Sequence, residues 1–105
     1  MIKSGAALMA LALAGAAMAQ VAPNTSDVEQ TGSGEIADVT QGGTGVNTSE
    51  IDQDGSNNTA TVTQSSVVGA ANSSTILQSA TASGNEATVD QTGEGNDSDV
   101  TQDGD

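Results

Sequence analysis

The sequence predicts an all-β protein, a β-solenoid of seven short strands that make about three and a half two-strand rungs. Three observations lead to this prediction. A seven-residue pattern recurs along most of the chain, its inward and outward positions alternate with the period of a β-strand, and glycine-rich segments separate its copies. We expect the chain to become ordered only on assembly, because seven buried aliphatic side chains offset too little of the conformational entropy lost on folding.

Residues 1–19 precede the repeats and are interpreted as a secretory signal peptide. Lys3 supplies the basic start, a run of Ala, Leu and Met follows, and small residues stand at Ala17 and Ala19. The apolar run is shorter than a membrane-spanning helix requires. We therefore expect cleavage between Ala19 and Gln20, a short N-terminal lead over residues 20–23, and one repeat domain over residues 24–105.

Seven copies of the unit N-x-[AS]-x-[VI]-x-Q lie between residues 24 and 102. A glutamine ends every copy, at spacings of 11 to 14 residues, and Val or Ile stands two positions before it. The first position is Asn in six copies and Glu35 in the second copy. The residues predicted to form the core and the stacked amides are Asn24, Val28, Gln30, Val39, Gln41, Asn47, Ile51, Gln53, Asn58, Val62, Gln64, Asn72, Ile76, Gln78, Asn85, Val89, Gln91, Asn96, Val100 and Gln102.

Within each copy, alternate residues point to the same face, so the Asn, the small residue, the aliphatic residue and the Gln all face inward. The intervening positions are mainly Thr, Ser, Asp and Glu and face water; Ile36 and Leu77 are exceptions. The segments between copies hold the glycines and are predicted turns. Odd copies then stack in one sheet and even copies in the other, and like amides hydrogen-bond along each stack.

The composition excludes several functions. The chain carries 14 acidic residues and one basic residue, has a formal net charge of −13, and contains no His, Cys or aromatic residue. It therefore lacks a Cys or His nucleophile–base pair, soft metal ligands and a basic surface for nucleic acid. We expect no enzyme activity, no cofactor and no metal site. Residues 42–47 and 52–57 only partly match calcium-binding loops, and the sequence leaves open whether the acidic surface binds divalent cations.

Two stretches carry a resemblance to a known family: Gln53–Gln64, QDGSNNTATVTQ, and Gln91–Gln102, QTGEGNDSDVTQ. Both are similar to the curlin repeat of bacterial curli amyloid, Q-x-G-x-x-N-x-A-x-V-x-Q. Ser66 and Ala80 depart from the pattern where a turn glycine is usual. The resemblance extends from Asn24 to Gly104.

This resemblance implies a bacterial extracellular fibre subunit that serves biofilm matrix and surface adhesion. It implies a homopolymer as the main partner, with a nucleator subunit and curli-type export machinery as further partners. The alternative is a secreted solenoid that acts as an adhesion or binding module without polymerising.

Overall fold

A computed structural model describes residues 2–4, 10–13, 24–67, 69–79 and 83–104 of the chain. The described residues form nine β-strands and no helix. The strands are β1 (Ile2–Ser4), β2 (Ala10–Leu13), β3 (Thr25–Ser33), β4 (Ile36–Gly43), β5 (Asn47–Ser56), β6 (Thr59–Ser66), β7 (Asn72–Gln78), β8 (Glu86–Thr92) and β9 (Asp97–Gln102). Strands β3 to β9 correspond one by one to the seven predicted copies.

The strands alternate between two sheets, which confirms the predicted β-solenoid. Sheet A has the order β1-β3-β5-β7-β9, and sheet B has the order β2-β4-β6-β8. Every pairing within a sheet is parallel and in register, so that Gln30 lies beside Gln53 and Gln41 lies beside Gln64. Because the chain crosses to the other sheet after each strand, one rung consists of one strand from each sheet.

Five of the strands, β3 to β6 and β8, continue beyond the glutamine that was predicted to end them. In sheet A, for example, Gly32 pairs with Gly55 and Ser33 pairs with Ser56. The predicted turns are therefore partly strand. The physical reason is that successive turns have the same path, which keeps their backbones at hydrogen-bonding distance after the repeat motif has ended.

The core lies between the two sheets and is a thin strip of small and β-branched side chains. Its buried apolar members are Val28, Ala37, Val39, Ile51, Ala60, Val62, Ile76, Ala87 and Val89. Val100 packs against this cluster and is only half-buried. The outward positions alternate with the core, and Ile36 and Leu77 are exposed there, as their place in the period-two pattern predicts.

The N-terminal segment contributes two short strands to the stack. In β1, Ile2 pairs with Val28, and in β2, Ala10 pairs with Ile36, so the two strands lie on the N-terminal edges of sheets A and B. Ala19 and Gln20, between which cleavage is predicted, lie outside the described residues, and the signal peptide stays a prediction. Among the described residues, no helix has the length and apolar character needed to cross a membrane.

Candidate functional site: the amide columns and the open ends of the stack

The inward Asn and Gln residues lie at the two margins of the core strip. Each copy of the motif begins at the Asn position and reaches Gln six residues later, so the parallel register places like amides directly above one another. Most of the 20 residues predicted for the core and the amide columns are buried. Six are half-buried instead: Asn24, Gln41, Asn85, Asn96, Val100 and Gln102.

The glutamines form one continuous hydrogen-bonded column in each sheet. In sheet A, Gln30 Nε2 donates to Gln53 Oε1 at 2.6 Å, Gln53 Nε2 donates to Gln78 Oε1 at 2.8 Å, and Gln78 Nε2 donates to Gln102 Oε1 at 2.8 Å. In sheet B, Gln41, Gln64 and Gln91 repeat the arrangement, at 2.9 and 2.7 Å. Every bond runs from one rung to the next in the same direction, so the columns are directional.

Glutamine side chains also connect the two sheets. The Nε2 atom of Gln53 donates to the backbone oxygen of Ile36 at 3.0 Å, and Gln64 Nε2 donates to the oxygen of Thr48 at the same distance. Gln41, Gln78, Gln91 and Gln102 make equivalent bonds. In Gln53, Gln64 and Gln78, one amide nitrogen thus donates both to the next rung and to the opposite sheet, which pairs both of its N–H groups.

The asparagines of each sheet lie at the same margin as the glutamines of the other sheet, where Gln78 Nε2 donates to the backbone oxygen of Asn85, and they hold the turns. Asn47 donates from its backbone nitrogen to Asn24 Oδ1 at 3.0 Å, and its Nδ2 donates to the backbone oxygen of Gly42 at 2.8 Å. Asn58 and Asn96 make the same bond to a turn carbonyl, of Asp54 and Thr92. The side chain therefore fixes the turn that precedes its own strand to the rung below.

Glu35 occupies the Asn position of β4 and brings a carboxyl group into the core. Its side chain is 1% exposed, and Oε2 accepts a hydrogen bond from the backbone nitrogen of Asn58 at 3.0 Å. The other oxygen, Oε1, is buried without a hydrogen-bond partner among the described residues. Burial raises the pKa of the Glu35 carboxyl, and nearby Asp54 adds to the effect, against the bonds from Asn58.

The outer surface of sheet A aligns carboxylates with one another. Asp27 lies beside Glu50, and Glu29 lies beside Asp52, at the spacing of neighbouring strands, about 4.8 Å. Partial desolvation, followed by the charges of Glu29, Asp54 and Glu50, raises the pKa of Asp52. Since residues 24–105 contain no Lys or Arg, these like charges oppose the stacking of the strands.

The C-terminal end of the stack is open. A cleft of about 460 Å³ lies over the last strand of sheet B and beside the inner face of β9. Its lining comes from residues 88–92 of β8, with Asn96, Asp97, Ser98 and Val100 on the β9 side. Both strands present a free backbone edge to solvent there, which is the usual template for adding a strand from another chain.

Sequence reasoning missed three features of this site: the role of Glu35, the bonds from Gln to the opposite sheet, and the split of the small inward residue between the sheets. Two of these had a signal in the sequence. Glu35 is the one charged residue at an inward position, and the small residue alternates strictly between Ser and Ala along the seven copies. The bonds from Gln to the opposite sheet depend on the distance between the sheets, which no repeat spacing encodes.

Hydrogen bonding is the main chemistry that this arrangement of side chains supports. Within the part of the chain that the structure describes, no three acidic side chains come together in a way that would hold a metal ion. Apart from the buried Glu35, the acids of the strands point outward, and the other inward groups are amides, hydroxyls and aliphatic carbons. Fold and site together define a structural protein, a parallel two-sheet solenoid with hydrogen-bonding columns that run to its open end.

Comparison with protein-family models assigns this structural protein to a family. The model described as curlin associated repeat matches residues 37–65 and 69–104, which together make up more than half of the chain. The chain belongs to the curlin repeat family, a family of structural curli-type fibre subunits, and it is not an enzyme. Searches of curated proteins and of solved structures gave no match.

Proposed function

We propose that this chain is a secreted, self-assembling subunit of a curli-like extracellular amyloid fibre, which serves biofilm matrix and surface adhesion on a bacterial cell. The open C-terminal end carries the proposal. There, free strand edges coincide with Gln columns that stop at Gln91 and Gln102 with no further rung to receive their donors. A second copy of the chain carries matching acceptors in the same spacing.

The composition supports the same function. The acidic outer positions keep the chain soluble during export, as charged gatekeeper residues do beside strand-forming segments. Residues 20–105 contain no aromatic or basic residue, which leaves no surface for nucleic acid or sugar stacking. We further propose that residues 1–19 direct secretion and are removed, and that a nucleator subunit and curli-type export machinery act on the processed chain.

The test is assembly of purified residues 20–105. We expect the fresh monomer to give a disordered circular dichroism spectrum and then to form fibres that bind thioflavin-type dyes. Electron microscopy should show unbranched fibres, and fibre diffraction should show the inter-strand reflection at about 4.8 Å. A variant with Val62→Asp and Ile76→Asp serves as the negative control.

A soluble, folded monomer that stays monomeric at high concentration would contradict the proposal. That outcome would favour the other function considered, a secreted solenoid that acts in adhesion without polymerising. Binding of the monomer to bacterial cells, measured without any dye-positive material, would then be the next observation to make.

A further inference from the structure

The repeat part of the chain has an odd number of strands, and this number leaves one place in the stack empty. Sheet A holds four of the seven repeat strands, β3, β5, β7 and β9, whereas sheet B holds three. The series of repeat strands therefore begins and ends in sheet A. The next place in sheet B, above β8 and facing β9, is the open cleft at the C-terminal end.

Hydrogen-bonding groups at the two ends of the stack are complementary. At the C-terminal end, Gln91 and Gln102 each use one N–H on the opposite sheet and have no next glutamine for the second N–H. At the N-terminal end, Oε1 of Gln30 is buried and lacks a hydrogen-bond partner among the described residues. One end thus offers donors in both columns, and the other end offers acceptors.

We propose that consecutive copies in the fibre are related by a half turn about the fibre axis, so that β3 of one copy fills the empty place of sheet B in the copy before it. This inference rests on the proposed self-assembly. Strands of sheets A and B run in opposite directions because the chain turns back after each strand. A half turn exchanges the two sheets and reverses the direction of each strand, so β3 of the new copy runs parallel to β8.

The half turn matches equivalent residues across the junction. With β3 stacked on β8, Gln30 of the new copy lies beside Gln91, and Val28 lies beside Val89. With β4 stacked on β9, Gln41 lies beside Gln102. Both glutamine columns continue, the cleft is filled, and the heterologous contact repeats without closing.

Stacking by translation alone is the competing arrangement. It places β3 on β9 and leaves sheet B one strand short at every junction, so the cleft stays open and the second N–H of Gln91 has no acceptor. Buried or half-buried amide donors without a partner are costly. In the full-length chain, β1 and β2 occupy the edges of β3 and β4, so either junction requires the proposed removal of residues 1–19.

Engineered cysteines distinguish the two arrangements, and the chain has no cysteine of its own. Glu29, Asp90 and Thr101 are exposed, outward-facing residues at the same register position. The half turn brings Glu29 of one copy beside Asp90 of the previous copy, whereas translation brings it beside Thr101. Neighbouring strands lie about 4.8 Å apart, which is within the Cα separation that a disulfide accepts.

The experiment expresses two full-length variants in a bacterial host, Glu29→Cys with Asp90→Cys and Glu29→Cys with Thr101→Cys. The exported product is assembled, oxidised and dissolved, and its size is read on a non-reducing gel. We expect a ladder of covalent multimers from the first variant and monomers from the second. Fibres that cross-link only in the second variant, or in neither, overturn the half turn and leave the fibre itself established.

Cryo-electron microscopy of the unmodified fibre provides an independent measurement if the cysteine variants fail to assemble. The half turn gives a rise of about 17 Å per copy, since each copy adds three and a half rungs, with a rotation near half a turn. Translation gives about 19 Å and no rotation beyond the twist of the sheets. Failure of the unmodified chain to form any fibre would instead overturn the proposed function.

Discussion

The two sheets are built from the same repeat unit but differ in what they bury. Sheet A carries Ser at the small inward position of each strand and Asn at the first position throughout, and it aligns acids on its outer surface. Sheet B carries Ala at the small position and begins with the buried carboxyl of Glu35. The true structural repeat is thus a rung of two unlike strands, with 23 residues separating Gln30 from Gln53 and 25 separating Gln53 from Gln78.

The two sheets also differ in whether the small inward residue leaves a buried polar atom without a partner. In sheet A, the Oγ atoms of Ser49 and Ser74 are buried without a hydrogen-bond partner among the described residues. In sheet B, Ala37 and Ala60 are fully buried and leave nothing unsatisfied. Sheet B therefore supplies six of the nine buried apolar residues of the core, and sheet A supplies the other three, Val28, Ile51 and Ile76.

The largest expected effect comes from placing a charge at the centre of either sheet. Val62 in sheet B and Ile76 in sheet A are both 0% exposed, and a buried carboxylate with no cation costs several kcal/mol. We expect Val62→Asp and Ile76→Asp each to abolish fibre formation in a dye-binding assay. Leu77→Asp is the matched control, because Leu77 follows Ile76 in the chain and its side chain is exposed. Fibres of this variant should still form.

The same series tests where assembly begins. Residues 55–85 contain no charged residue and hold the central strands β6 and β7, so we propose that this segment nucleates the fibre. Val28→Asp, in β3, should then lengthen the lag phase without preventing assembly. If the substitution in β3 proves more damaging than those in β6 and β7, nucleation starts elsewhere.

The second effect concerns the turn that leads from sheet B back to sheet A. Gly43 has φ of +93°, and a Cβ there would lie 1.9 Å from the backbone oxygen of Ser66. Gly43→Ala should destabilise the fibre by at least about 2 kcal/mol, from backbone strain and displacement of the stacked turn. The measurement is the guanidinium concentration that dissolves half of the fibre.

The neighbouring glycine provides the control for this turn. A Cβ at Gly42 would have no atom within 4 Å, so Gly42→Ala should leave the dissolution midpoint unchanged or raise it slightly. Equal losses from the two substitutions would show that the stacked turns do not constrain the fibre.

The third effect is a dependence on pH to which the two sheets contribute separately. The pKa values of Glu35 in sheet B and Asp52 in sheet A are both raised. Their contribution to stability is fully present below the unfolded values, near 4, and is lost as the pH rises through the folded values. Assembly should therefore be fastest near pH 4, and at neutral pH salt or divalent cations should accelerate it.

Two substitutions separate the contributions of the two sheets to the pH dependence of assembly. Glu35→Asn restores the residue that the other copies carry, and Asp52→Asn removes one charge from the outer surface of sheet A. We expect both to raise the assembly rate at pH 7 and to change it little at pH 4, with salt dependence reduced only by Asp52→Asn. Rates that do not vary with pH or ionic strength in the unmodified chain would contradict this account.

The smallest effect tests the Ser and Ala difference directly. Ser74→Ala removes a buried hydroxyl from sheet A and should stabilise the fibre, whereas Ala60→Ser adds one to sheet B and should destabilise it. Each change is on the order of 1 kcal/mol. The readout is again the dissolution midpoint, and a shift of the same sign for both variants would mean that the sheets are equivalent at this position.

Much of the fold follows from the sequence because a period of two over a fixed motif leaves few alternatives. The seven glutamines that end the copies of the motif mark the strands, and the alternation of the strands between sheets follows from the short turns. The extension of β3 and β5 through Gly32 and Gly55 was not predictable from the motif, since it arises from one turn stacking on another. The unsatisfied oxygens of Glu35 and Ser49 likewise depend on distances across the core, which the repeat spacing does not contain.

The common direction of the glutamine bonds has a consequence for growth kinetics. A fibre built from such copies is polar: a monomer that arrives at one end meets glutamine donors, and a monomer that arrives at the other end meets glutamine acceptors, while the asparagine column of sheet A runs in the opposite direction. Addition at either end nevertheless creates the same junction, so the equilibrium monomer concentration is identical at both ends. Only the rates can differ, because the arriving chain must order its last strands first at one end and its first strands first at the other.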